Sequence, residues 1–122
     1  MSTQTTAGFD LAQLSRAIEE RDAASQLAMY AQDATVTIAD RITQPGSPRV
    51  LQGRDEIATW IQDTCARDMT HRVGHAVQDN AGAAFTIACR YPDATNVLCA
   101  TVLELADGQI VGQTVVQAWD EK

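Results

Sequence analysis

The only two histidines of the chain, His71 and His75, stand four residues apart in "MTHRVGHAV". On a helix that spacing places two metal ligands on one face. Here Met69, His71, Val73, His75 and Val77 alternate with Thr70, Arg72, Gly74 and Ala76, and the Val and Thr content favours a strand. A strand rises ~3.3 Å per residue, so the two positions are ~13 Å apart. Ligands of one zinc lie only ~2.0–2.1 Å from the metal. Without a bulge the two rings do not share an ion, and Gly74 supplies a modest bulge at most. No Glu stands between them, so HExxH chemistry fails as well. Neither a metal nor a cofactor is expected.

Each histidine is then judged alone. If the alternation holds, both face the interior. His71, earlier in the strand, is the stronger candidate for acid/base work, because an imidazole gives or takes a proton near neutral pH. The competing reading is a core or rim histidine satisfied by a carbonyl or hydroxyl. Asp40 ends "ATVTIAD", where it shares a strand face with Ile38. In a partly dry pocket its pKa rises toward what a general base requires. The bland alternative is that Asp40 caps the loop that follows. Trp60, Tyr91 and Trp119 are large enough to wall a cavity, and Tyr30 reads as core. Cys89 and Cys99 read as small buried apolar groups, facing each other if Tyr91 opposes Val97. Gln113 and Gln117 reach a ligand if the last strand turns its odd positions inward. "GQIVGQ" lacks the strand-to-helix context of a phosphate loop.

The elements that must position these groups follow from periodicity. Residues 1–8 are small and polar and read as disordered; 9–122 read as one domain. Phe9, Leu11, Leu14, Ala17 and Ile18 fall near helical spacing behind Asp10 as N-cap. Asp22 caps a second short helix whose apolar face carries Ala23, Leu27 and Tyr30. A strand at 34–40, a Pro- and Gly-bearing loop and a short strand at "VLQG" follow. A third helix, "GRDEIATWIQDTCARD", buries Ile57, Trp60 and Ile61. From Met69 onward four strands form a meander, turning at "DNAG", "PDAT" and "DG". This is the α+β pattern, with helices on one face of a mostly antiparallel sheet. The other face, with Ala88, Leu98, Ala100, Val102 and Val116 beside Arg90 and Glu104, is too apolar for a free surface. A homodimer is expected to cover it.

Bulk properties exclude several classes. The net charge is −7, with eight Arg, one Lys and no basic stripe, so nucleic acid is not an expected partner. No apolar run nears the ~18 residues of a membrane span, and no secretory signal opens the chain. Three cysteines without CxxC spacing suit a reducing compartment, so a cytoplasmic location is expected.

"LAMYAQDATVTIAD", "LQGRDEIATWIQD" and "LELADGQIVGQTVVQAWD" together resemble the nuclear transport factor 2-like superfamily, most closely its SnoaL-like and ketosteroid-isomerase-like members. The resemblance spans roughly residues 9–120. It implies a cone, a curved sheet wrapped around three helices with an internal pocket. A ketosteroid isomerase uses an Asp base with a Tyr and a protonated Asp as oxyanion hole. Aligned on "MYAQDATV", those positions carry Ile38, a residue near Leu14 and one near Thr101, so steroid isomerisation is not expected. The pocket is expected to take a small apolar or carbonyl-containing molecule. Asp40 and His71 are the expected base and acid, with Ile38, Trp60, Tyr91, Cys99, Thr101, Gln117 and Trp119 as the expected lining. Two readings stand: a cofactor-independent isomerase, cyclase or dehydratase working by proton transfer, or a non-catalytic binding or dimerisation module.

Overall fold

The computed structural model describes residues 8–121, so nearly all of the expected disordered segment lies outside the described residues. Helix α1 (Leu11–Glu19) buries Leu11, Leu14, Ala17 and Ile18, and the Asp10 carboxylate caps it by accepting from the Gln13 N–H at 3.0 Å. Asp22 likewise caps α2 (Ala23–Leu27), and the Ser25 hydroxyl and N–H hold its carboxyl below the usual carboxylate range. Helix α3 (Gly53–Ala66) buries Ile57 and Ile61. Its N-terminus is closed by the Glu56 carboxylate, which reaches back to accept from the Gln52 N–H at 2.9 Å.

The strands are β1 (Tyr30–Ala39), β2 (Arg49–Gln52), β3 (Thr70–Gln78), β4 (Gly82–Arg90), β5 (Asn96–Ala106) and β6 (Gln109–Trp119). They form one mixed sheet in the order β2-β1-β6-β5-β4-β3, antiparallel except where β1 runs parallel to β6. Asp107 and Gly108 join β5 to β6 with φ of 54° and 75°, the left-handed pair that a two-residue hairpin requires. Register shifts in β1, β3 and β6 bend the sheet around the helices, since an extra residue on one strand increases local curvature. Helix α1 packs on β3, and α3 on β1. The buried cluster between helices and sheet includes Val36, Ile38, Ile57, Phe85, Leu103 and Ile110. This is the expected α+β cone.

Three local expectations are corrected. Tyr30 is not on a helix. The chain leaves α2 at Leu27, and the Met29 carbonyl accepts from the Ile110 N–H at 2.9 Å, so pairing with β6 captures the backbone before another helical turn forms. Tyr91 opposes Thr95 rather than Val97, because the tight turn closes through Tyr91 N–H to the Thr95 carbonyl at 3.0 Å. Cys89 therefore pairs with Val97 and Cys99 with Ile87, which makes the two cysteines diagonal neighbours.

His75 is the third. On β3, His75 and Ala76 together span what Phe85 alone spans on β4, and His75 has φ 49°. This bulge inverts the alternation. His71 and Val73 lie on the inner side, while His75 and Val77 are exposed.

Candidate functional site

The cone encloses a cavity of ≈ 300 Å³. Its walls are chiefly apolar: Leu14 and Ile18 from α1, Ile61 from α3, Phe85 and Ile87 from β4, and Val115 from β6. Each comes from the inward set of its element, and from Gln113 onward the odd positions of β6 turn inward. Of the expected lining, Ile38, Trp60, Tyr91 and Cys99 border this space, and so do Thr101, Gln117 and Trp119. Asp40 and His71 border it too. Leu14 and Thr101 border the cavity as well.

One side of the cavity is ringed by stacked planes. Tyr91 and Trp119 stack with centroids 5.9 Å apart, and the Arg41 guanidinium lies 4.3 Å from the Trp119 ring centre. Arg67 donates to the Tyr91 hydroxyl at 3.2 Å and pairs with Asp63 at 2.8 Å. The Trp119 indole N–H donates to Gln117 Oε1 at 3.0 Å. Arg49 borders the same cavity, so three of the eight arginines of an acidic chain converge on it.

The polar groups within the walls are few. The Tyr30 hydroxyl donates to Gln113 Oε1. Burial pushes that phenol well up, so it stays protonated and acts as a donor. Thr101 is 2 % exposed, and its hydroxyl has no hydrogen-bond partner among the described residues. An orphaned buried hydroxyl costs roughly 1–3 kcal/mol. Thr101→Val removes that cost while nearly keeping the shape. We expect urea unfolding to show equal or higher stability for this variant, together with weaker ligand binding.

Asp40 is partly committed. Its Oδ1 accepts from the Ile42 N–H at 2.9 Å and from the Thr43 hydroxyl at 3.1 Å, closing the turn after β1. Only Oδ2 remains for a ligand. His71 is half-buried, and its Nδ1 lies 3.1 Å from Cys89 Sγ. Its Nε2 makes no hydrogen bond among the described residues. The His71–Cys89 contact is not visible in the alternation of the sequence, because the bulge creates it. Counting back from the β3–β4 turn without the bulge (Gln78 against Ala83) puts His71 opposite Arg90; with it, His71 faces Cys89. No group of three or more His, Cys, Asp or Glu side chains able to hold a metal occurs among the described residues.

A curved sheet closed over three helices around such a cavity defines the nuclear transport factor 2-like class. The SnoaL-like domain profile matches residues 11–113, and the chain belongs to that family. An NTF2-like protein of unknown function from Mesorhizobium loti superposes with a TM-score of 0.76 at 13 % identity, covering 88 % of this chain and 87 % of that one. SalBIII is an epoxide hydrolase/cyclase-like enzyme in pyran ring formation in the polyether salinomycin. It gives 0.66 at 23 % identity, over 88 % and 87 %. A Kribbella flavida protein assigned as a ketosteroid isomerase gives 0.71 at 19 %, over 91 % and 75 %. At these identities the likeness establishes the fold. No curated protein sequence matches the chain. No helix among the described residues is long and apolar enough to cross a membrane.

Proposed function

We propose that the protein binds a small, largely apolar carbonyl compound of polyketide-like character and moves a proton on it without a cofactor, in an isomerisation, cyclisation or dehydration. One observation carries this reading. His71 sits on the wall of a cavity that is apolar and of ligand size, with one ring nitrogen against Cys89 and the other unengaged. The family and the enzymes among its structural neighbours support it. Asp40 takes part through Oδ2. The commitment of its Oδ1 to the turn favours a second reading, a binding module of the same fold that does no chemistry.

Exchange of ketone α-hydrogens separates the two. Benzylacetone in D2O, followed by proton NMR, is expected to lose its α-hydrogen signal faster with the protein than in buffer, and to raise the thermal midpoint. A raised midpoint with exchange at the buffer rate leaves binding and ends the proton-transfer reading.

We also propose that a second copy covers the outer sheet face, within the cytoplasm and with neither nucleic acid nor membrane as partner. Leu98, Val102 and Val116 are 53 %, 55 % and 52 % exposed there, on adjacent strands. Light scattering at micromolar concentration is expected to give twice the 13.2 kDa chain mass, and Val102→Asp to return it to one chain. A monomeric wild type discards the dimer.

A further inference from the structure

His71 and Cys89 stand directly opposite on β3 and β4, and both border the cavity. A buried thiol is usually a small apolar filler. Two contacts set Cys89 apart. Cys99, its diagonal neighbour, and the His71 ring, whose Nδ1 lies 3.1 Å from the sulfur in place to take its proton, hold the Cys89 thiol below the usual thiol range against the opposing effect of burial. The neighbouring Cys89 and burial push the Cys99 thiol up. Burial also raises Cys65, the remaining thiol, which has no imidazole beside it. Diagonal cross-strand Cα atoms lie ~7–8 Å apart, beyond the ~4.4–6.8 Å span of a disulfide. Both thiols are free.

We propose that Cys89 is a nucleophile that adds to the β-carbon of an α,β-unsaturated carbonyl compound held in the cavity, with His71 carrying the proton. This rests on the cavity's being a carbonyl-binding site and narrows its ligand class. The Cys89 S–H proton passes to His71 Nδ1, leaving thiolate beside imidazolium. The sulfur forms a bond to the β-carbon, the C=C π bond breaks, and its electron pair moves to the α-carbon and carbonyl oxygen as an enolate. The imidazolium then returns the proton to the α-carbon, so atoms and charge balance with no other reactant. Thr101 stands four residues along β5 from Val97, the partner of Cys89, so ~13 Å along the strand. Its orphaned hydroxyl suits a second polar group at the far end of such a ligand.

The test incubates the full chain with benzylideneacetone at pH 7 and maps adducts by mass spectrometry. The expected result is a mass gain of one probe molecule, located on Cys89. It should form about tenfold or more faster than on Cys65, because a larger thiolate fraction outweighs its lower intrinsic nucleophilicity. Cys89→Ala should remove it, and His71→Ala should slow it to the Cys65 rate. The Cys65 comparison lies within the wild-type protein, so it survives even if a variant misfolds. First reaction at Cys65 or Cys99, or a Cys89 rate indifferent to His71, overturns the proposal. If saturated benzylacetone raises the thermal midpoint but benzylideneacetone leaves no adduct, covalent addition is wrong and the binding reading stands. If neither ligand acts, both fall.

Discussion

His71→Ala is expected to lower protein-catalysed α-hydrogen exchange of a bound ketone by about 10²- to 10⁴-fold, the usual contribution of a positioned acid/base group. The variant removes the only imidazole that borders the cavity, because the bulge in β3 places His75 outside it. Asp40 cannot take over fully, since its Oδ1 is tied to Ile42 and Thr43. Folding should be little affected. The ring is half-buried and makes one hydrogen bond, with the Cys89 thiol, and a single hydrogen bond is worth about 0.5–1.5 kcal/mol net. The measurement is NMR exchange in D2O for wild type and variant, beside a thermal melt of each. Exchange that survives the substitution removes His71 from the mechanism.

The α+β pattern was legible in the sequence because its helix and turn signals are local, and the cone followed from the family resemblance. Asp10 and Asp22 announced helix starts, and "DG" announced the last hairpin. The alternation of Cys99, Thr101, Leu103 and Leu105 gave the inner face of β5, which is the more buried one. The site was legible only where alternation continues unbroken. Ile38, Cys99, Thr101 and Gln117 follow from period two on uninterrupted stretches. His75 does not, because a one-residue bulge changes its face, and the same bulge decides which β3 residue stands opposite Cys89, whose inward side the alternation of β4 does give. The residue that adopts the left-handed conformation there is a histidine, and neighbouring Gly74 carries no mark of it. Tyr30 was obscured for a different reason. "AASQLAMY" has good local helix propensity, and pairing between Met29 and Ile110, residues far apart in sequence, decides against it.

A lost rate means something only beside a variant that loses stability and keeps the site, and Leu103→Ala supplies it. Leu103 lies on the inner face of β5, two residues beyond Thr101, is 1 % exposed and does not border the cavity. It pairs with Ala83 on one side and Gln113 on the other. Burial of a leucine this complete predicts a loss of about 2–5 kcal/mol on truncation. That is a large share of the ~5–15 kcal/mol typical of a domain, and it should lower the thermal midpoint by roughly 10 °C or more. Below the lowered midpoint the folded variant should exchange ketone α-hydrogens at the wild-type rate, while His71→Ala melts like wild type and exchanges slowly. If Leu103→Ala instead melts like wild type, this part of the sheet is not packed as described. If it loses exchange while still folded, the catalytic geometry depends on core packing that lies outside the cavity wall.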